Sequence, residues 1–204
     1  MPEVHHHERM VECLNLGGYE KTRYGLIAEF FKEKKGNFLD VGCCQGGLKK
    51  YLNTDLIYYG IDNADNEFEG FKKVDLNARR LPFEDQYFDA VNCSATLEHL
   101  LYPLEMLREI KRVLKTDGHV LVSLPNDKSL NSLYAQLFSR IRGYDESVFG
   151  HHWRFSIGTA REFFEKEFRI IRERPEFGPL FRKYLPFLKI KPFCTEWFML
   201  GVKR

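Results

Sequence analysis

The chain lacks three features that would assign it to a broad class at once: a long apolar run, a strong excess of one charge and a cysteine framework. No apolar run in the 204-residue sequence approaches the roughly 20 residues of a membrane-spanning helix. No basic, apolar and small-residue signal opens the sequence, so we expect a cytoplasmic protein, with peripheral membrane contact left open. A net charge of +2 gives no general reason to expect nucleic acid as a partner.

The five cysteines show neither paired C-x-x-C spacing nor the density of a small secreted protein. We expect reduced thiols, although the adjacent Cys43 and Cys44 could bind a soft metal or oxidise. No spacing of Asp, Glu and His predicts a catalytic metal, and the histidine tract at 5–7 has no evident partner ligand. The sequence therefore predicts no metal site.

The sequence does show an alternation of predicted helices and strands, without repeats or low-complexity linkers. Its length predicts one domain, 1–204, with a substantial core. A leading helical segment at 1–35 contains a predicted helix at 19–34, and a second amphipathic helix is predicted at 102–115, closed by 117–118. Besides the strands discussed next, strands are predicted at 119–124, 168–174 and 196–202.

The most informative stretch is 38–48, where a short apolar run ends in Asp40 and the chain turns through glycines into a predicted helix. Glycine lets a backbone approach a ligand closely, and the following helix would offer its N-terminal amides. Asp40 would face the ligand from the carboxyl end of the strand, where open α/β sheets bind ligands. The alternative is a tight turn that binds nothing.

Two further predicted strands, 56–61 and 71–74, also end in an acid, at Asp62 and Asp75. Asp62 lies about 20 residues beyond the glycine loop, where a carboxylate would accept from both hydroxyls of a ribose. A single acid of this kind usually caps a turn. Three at the ends of successive strands predict a ligand that lies across the strand ends.

Five segments in a fixed order carry a family resemblance: DVGCCQG at 40–46, LPFEDQYFDAV at 81–91, LEHL at 97–100, EIKRVLK at 109–115 and VSLPN at 122–126. On these segments the chain resembles the class I S-adenosylmethionine-dependent methyltransferases of the type 11 family. The resemblance implies an α/β, Rossmann-like three-layer sandwich around a seven-stranded, mostly parallel sheet. The implied strand order is 3-2-1-4-5-7-6 with the last strand antiparallel, and the implied cofactor is S-adenosyl-L-methionine.

The same resemblance implies a cofactor site at the strand ends, made by Asp40, Gly42, Gly46, Asp62, Asp75, Leu76, Asn92, Cys93 and Ser94. Asp40 and the backbone at Gly42 would hold the ammonium end of the methionine moiety, and Asp62 would bind the ribose. Asp75 and the Leu76 amide would bind the adenine. The turn formed by Asn92, Cys93 and Ser94 would line the sulfonium.

Some of these positions have a purely structural alternative, and one position departs from the family pattern. Asp75 could cap a turn that includes Asn77, and Ser94 could cap the next helix. Cys44 stands where the family usually has glycine. Its Cβ could crowd the amino-acid tail of the cofactor, unless the later glycines make the close approach.

A nicotinamide-binding Rossmann protein is the rival interpretation, because it also places an acid after its second strand. Its fingerprint has an apolar residue at the position of Asp40. A carboxylate there would repel a pyrophosphate, whereas it would attract the ammonium of S-adenosylmethionine. The charge of Asp40 therefore favours the methyl donor.

Methyl transfer from a sulfonium is an SN2 displacement, in which an enzyme contributes mainly by positioning the reactants. A hydroxyl acceptor also needs a base, and a histidine that titrates near neutrality suits that role. The candidates are His99, His151 and His152. A structural hydrogen bond is an equal alternative for His99.

Two segments exceed the minimal scaffold and are expected to bind substrate: 127–155 as a lid, and the basic and aromatic 175–193 as a cap. The second also fits an anionic membrane surface or the interface of a homodimer, whereas its prolines argue against a nucleic-acid recognition helix. We expect a small-molecule, glycan or lipid-linked acceptor that is methylated on oxygen. A non-catalytic, cofactor-binding accessory protein of the same fold is the alternative.

Overall fold

The computed structural model describes residues 19–78, 80–130, 132–133, 151–177 and 194–204. Its seven strands are β1 (Gly36–Val41), β2 (Leu56–Asp62), β3 (Phe71–Lys73), β4 (Phe88–Ser94), β5 (Leu114–Pro125), β6 (Phe168–Phe177) and β7 (Cys194–Lys203). The α-helices are α1 (Tyr19–Phe31), α2 (Pro103–Val113) and α3 (Ile157–Phe164). Short 3₁₀ helices occupy Gly47–Tyr51 and Leu97–His99.

The strands form one sheet in the order β3-β2-β1-β4-β5-β7-β6. The first five strands pair in parallel, whereas β7 runs antiparallel to both β5 and β6. The predicted order and the antiparallel last strand are confirmed. Because the first five strands share one direction, their carboxyl ends meet at one edge of the sheet.

Helices cover both faces of the sheet, because the central strands are apolar on both sides. In β1, Leu39 and Val41 pack into a cluster with α2 and α3, whereas Phe38 packs into a second cluster with α1. In β5, Leu121 joins the second cluster and its neighbours join the first. The alternation of strand side chains thus produces the expected three layers.

The region after β1 and the start of β5 differ from the predicted elements. The chain leaves the glycine loop through one 3₁₀ turn at Gly47–Tyr51 rather than through a longer helix. The helix predicted at 102–115 ends at Val113, because Leu114 already pairs with Phe88 and begins β5. Asp117 and Gly118, predicted to close the helix, therefore lie inside the strand.

The helix α3 was not predicted, although its start has a local sequence signal. Ser156 accepts a hydrogen bond from the backbone N–H of Thr159, and the Thr159 side chain accepts one from the backbone N–H of Ser156. This reciprocal arrangement is a capping box, with Thr in place of the usual Glu or Gln. No helix in the described ranges is long and apolar enough to cross a membrane.

The two predicted substrate segments are described only in part. Residues 131 and 134–150 of the segment 127–155 lie outside the described residues, as do 178–193 of the segment 175–193. The first residues of the latter, Pro175 to Phe177, belong to β6 and pair with β7. That segment therefore begins as part of the sheet. Of the leading segment 1–35, the described part begins at α1.

Candidate functional site

Asp40 lies near the carboxyl end of β1 and is held there by its neighbours in the sheet. Strand pairing places it opposite Asn92 of β4 and Gly60 of β2. Its carboxylate accepts hydrogen bonds from the Tyr58 hydroxyl at 2.6 Å and from the Asn92 side-chain amide at 2.7 Å. The side chain is buried, with 4% of its surface exposed. The arrangement fixes a carboxylate inside the predicted cofactor site.

Burial raises the pKa of Asp40 to about 6. The hydrogen bonds from Tyr58 and Asn92 and the positive charge of Arg23 lower this pKa and so partly oppose the effect of burial. The neighbouring charge of Asp62 raises this pKa further. Removing a carboxylate from water disfavours its charged form. A ligand that brings a positive charge next to Asp40 would reverse this effect, because it favours the ionised carboxylate.

Asp62 ends β2 and binds the backbone of the glycine loop. One carboxylate oxygen accepts from the Cys44 amide at 2.9 Å, and the other accepts from the Ala64 amide at 3.1 Å. An ionised carboxylate has about four acceptor positions, so these two contacts leave capacity for ribose hydroxyls. Asp62 therefore links the second strand to the loop that follows the first.

The glycine loop contains three residues with left-handed backbone, Gly42 (φ +74°), Cys44 (φ +47°) and Gly46 (φ +69°). For a residue with a Cβ this conformation costs about 1–2 kcal/mol. The family pattern of glycine at the position of Cys44 thus has a conformational reason. The Cys44 backbone conformation is maintained here by contacts of both its peptide groups, with Asp62 and with the Asn66 side-chain amide at 2.6 Å.

Protein side chains already pack closely against the glycines of the loop. A Cβ at Gly42 would collide with the Thr96 side chain, and one at Gly46 would collide with the Phe68 ring. The same ring lies against Gly60 of β2. Close packing within the protein therefore requires these glycines, whether or not they also approach a ligand.

The predicted adenine contacts are engaged within the protein. The Asp75 carboxylate accepts from the Asn77 amide at 2.9 Å, which is the turn that the sequence offered as an alternative. The Leu76 amide donates to the Asn63 side chain at 2.8 Å. Asp75 is exposed and its carboxylate has remaining acceptor capacity. An adenine contact to Asp75 stays a prediction, and one to the Leu76 amide would require Asn63 to move.

The residues 92–94 alternate between the two faces of β4. Ser94 donates to the Asn92 side chain at 2.7 Å, so these two side chains share the face that carries Asp40. Cys93 is fully buried in the cluster on the opposite face. Its side chain therefore packs in the core, and only its backbone is available at the predicted cofactor site. Ser94 also does not cap the following 3₁₀ helix, whose preceding residue is Thr96.

His99 and His151, which are distant in sequence, are brought together, whereas His152 is exposed. The ring centroids of His99 and His151 are 4.7 Å apart, and His99 Nε2 lies 3.9 Å from a Glu98 carboxylate oxygen. Burial, with the nearby charge of Arg154, lowers the pKa of His151. The structure thus groups two of the three predicted base candidates beside Glu98.

The sequence reasoning missed a set of polar residues near this edge, three of them buried and Arg23 half-buried: Arg23, Glu98, Ser123 and Glu196. Arg23 of α1 forms an ion pair with Glu196 at 3.1 Å, and the Ser123 hydroxyl donates to Glu196 at 2.5 Å. Burial raises the pKa of Glu98 to about 8. An acid within the apolar run of β7 is the signal that could have identified Glu196.

A separate concavity of about 550 Å³ lies at the amino-terminal edge of the sheet. Its lining is mostly polar and charged: Lys34, Lys35, Gln86, Asp89, Lys115, Thr116, Asp117, Gly118 and His119. Open α/β sheets bind ligands at the carboxyl ends of their strands. We therefore place the candidate site at the edge that carries Asp40 and Asp62.

The sheet order gives the chain the class I methyltransferase fold, whose solved examples include S-adenosylmethionine-dependent enzymes. Residues 39–122 match the type 11 methyltransferase-domain family, which confirms the resemblance seen in the sequence. The cofactor of that class is S-adenosyl-L-methionine.

Two similar proteins illustrate how far the sequence likeness extends. An uncharacterized protein of Methanocaldococcus jannaschii is 39% identical over 112 residues, which are 52% of this chain and 48% of that protein. Demethylmenaquinone methyltransferase of Lactobacillus johnsonii is 32% identical over 136 residues, 56% of this chain and 54% of that protein. The matches thus span about half the length of these relatives.

Solved structures extend the likeness to almost the whole chain, at the level of fold. A S-adenosylmethionine-dependent methyltransferase of Archaeoglobus fulgidus superposes with a TM-score of 0.67 and 17% identity, covering 91% of this chain and 95% of that one. A putative methyltransferase of Haloferax volcanii, solved in complex with the activator Trm112, gives a TM-score of 0.65 and 16% identity, with 91% and 92% covered.

Proposed function

We propose that the chain is a S-adenosylmethionine-dependent methyltransferase that acts on a small-molecule, glycan or lipid-linked acceptor through oxygen. One observation carries the proposal: the buried carboxylate of Asp40, near the carboxyl end of β1 and next to Asp62 at the end of β2. In this arrangement Asp40 binds the ammonium of the donor and Asp62 binds its ribose. The sulfonium then lies towards Asn92 and Ser94.

The acceptor is placed beside the second 3₁₀ helix, where His99 and His151 meet. Positioning the acceptor oxygen in line with the methyl group supplies most of the acceleration. The base that accepts the proton of the acceptor hydroxyl is assigned to the group formed by Glu98, His99 and His151. His152 has no part in this group, because its side chain is exposed and only its backbone amide contacts Glu98.

Calorimetric titration with three ligands tests the proposal. We expect micromolar binding of S-adenosylmethionine and S-adenosylhomocysteine at one site per chain, and no binding of NAD, whose pyrophosphate Asp40 would repel. Binding of NAD alone would overturn the proposal. Donor binding without methyl transfer to any extract or acceptor panel would instead favour the second candidate, a cofactor-binding accessory protein of the same fold.

The affinity for S-adenosylmethionine should depend on pH through Asp40. Burial raises the pKa of this carboxyl to about 6, so it is mostly ionised at pH 7 and mostly protonated at pH 5. If only the ionised form binds the ammonium, the dissociation constant rises about tenfold from pH 7 to pH 5. Calorimetry across this range, with the ligand ammonium protonated throughout, measures the effect.

The matched variant is Asp40→Asn, which keeps the side-chain shape and one acceptor oxygen next to Tyr58 and Asn92 but cannot ionise. Its affinity should be lower at pH 7 and nearly constant between pH 5 and pH 7. A variant that retains the full pH dependence of the parent would show that another group binds the ammonium.

A further inference from the structure

Three metal-ligating side chains converge beside the proposed acceptor position. Glu98, His99 and His151 each offer a ligand atom, and these three atoms lie within 4.8 Å of one another. Two imidazoles and one carboxylate, with a fourth position open, are the ligand set of many catalytic zinc sites. Donor atoms that share a zinc ion in tetrahedral geometry are about 3.3 Å apart. Side-chain rotations that move each ligand atom by less than about 2 Å would therefore bring the three atoms to this separation.

Backbone contacts already hold the two ligand-bearing segments against each other. The amides of His152 and Trp153 both donate to the Glu98 carbonyl, at 2.8 and 3.1 Å. The Trp153 indole donates to the Leu100 carbonyl at 3.0 Å. His151 is therefore positioned over the 3₁₀ helix by its neighbours, independently of any bond of its own ring.

Glu98 provides a second, independent indication of a missing ligand. Its side chain is 2% exposed, and its Oε2 atom has no hydrogen-bond partner. A buried carboxylate oxygen without a partner is unfavourable. A bound cation would satisfy this oxygen.

We propose that Glu98, His99 and His151 bind a divalent transition-metal ion, for which Zn²⁺ is the test ion. The sequence gives no signal for this site, because the ligands come from segments that only the fold brings together. The binding of the ion does not depend on the proposed methyl transfer. With the ion bound, these side chains are ligands and the base role given to them above no longer applies, because a neutral imidazole that binds a metal through one nitrogen carries its proton on the other.

Metal titration of the full chain tests the site directly. To exclude any contribution of the histidine tract at 5–7 to Zn²⁺ binding, the parent protein for the metal titrations carries alanine at these three positions. After treatment with a chelator and gel filtration, calorimetric titration with Zn²⁺ should show one ion per chain with micromolar or tighter affinity. The absence of stoichiometric binding would overturn the proposal.

Single variants then assign the ligands. Glu98→Gln, His99→Ala and His151→Ala should each weaken Zn²⁺ binding at least tenfold, whereas His152→Ala should leave it unchanged. Glu98→Gln preserves the side-chain shape, and circular dichroism of each variant confirms folding. Binding that survives all three ligand variants but is lost in a Cys43→Ser/Cys44→Ser protein would overturn the proposal in favour of the thiols.

The result can be separated from the proposed function. Calorimetry with S-adenosylhomocysteine in the presence of a chelator measures the cofactor site without the ion. Zn²⁺ binding without cofactor binding would sustain the metal site and contradict the methyltransferase, whereas the reverse would contradict the metal site alone.

Discussion

Replacing Asp62 with alanine is expected to weaken S-adenosylmethionine binding about a hundredfold at pH 7. In the proposed complex its carboxylate accepts from both ribose hydroxyls, and hydrogen bonds to a charged group contribute about 1.5–3 kcal/mol each. The loss of two such bonds at the lower value corresponds to more than a hundredfold in affinity. Calorimetric titration of parent and variant measures the change.

Two comparison variants separate the ribose contact from effects on the loop. Asp65→Ala removes a nearby exposed acid, which forms an ion pair with the exposed Lys73. The binding of S-adenosylmethionine should therefore be unchanged in this variant. Asp62→Asn keeps an acceptor for the amides of Cys44 or Ala64 and should retain more of the loop structure. Equal losses in Asp62→Ala and Asp65→Ala would contradict a specific role of Asp62.

A ligand fragment gives a further test of the same assignment. Adenosine contains the ribose but lacks the ammonium, so Asp62→Ala should weaken adenosine binding while Asp40→Asn should leave it nearly unchanged. A loss of adenosine affinity in Asp40→Asn alone would show that the two acids have exchanged roles.

The positions of the two acids at the edge of the sheet could be predicted from sequence, because each follows an apolar run that becomes a buried parallel strand. The pattern fixes where such a strand ends, and the parallel topology then brings the ends together. Asp75 follows the same pattern, yet the short β3 leaves it exposed and engaged with the Asn77 amide. An apolar run therefore locates the acid but does not determine which contacts it makes.

Contacts between distant segments could not be derived in this way. Glu196 lies at the start of β7, and it reaches the candidate site because β7 runs antiparallel to β5 and pairs Glu196 with Pro125. The grouping of His99 with His151 likewise depends on how the chain returns after β5. Periodicity and spacing describe neighbours along the chain. The contacts of Glu196 and of His99 with His151 depend instead on strand register and on the path of the chain between distant segments.

Removing the charge of Arg23 is expected to lower the free energy of unfolding by about 3–5 kcal/mol, the usual cost of leaving one member of a buried ion pair without the other. Arg23→Ala removes the ion pair from Glu196, which also accepts a hydrogen bond from the Ser123 hydroxyl. Both partners are largely buried, with side-chain exposures of 15% and 7%. Urea denaturation at pH 7 measures the loss.

An exposed pair on the same helix provides the control. Glu29 of α1 pairs with Arg174 of β6 at 2.6 Å, and both side chains are more than 40% exposed. Arg174→Ala should therefore cost less than about 1 kcal/mol. A double variant, Arg23→Met with Glu196→Gln, removes both charges and should recover much of the stability lost in Arg23→Ala. A cost for Arg23→Ala no larger than that for Arg174→Ala would contradict the importance of the buried pair.

Replacing Arg23 alone with methionine should also change cofactor binding, because the charge of Arg23 lowers the pKa of Asp40. Without Arg23 that pKa rises further, so a smaller fraction of Asp40 is ionised at any pH near 6. The weakening of S-adenosylmethionine binding on acidification should then begin at a higher pH in Arg23→Met than in the parent. An unchanged pH profile in a folded Arg23→Met protein would show that the ion pair stabilises the fold without acting on the cofactor site.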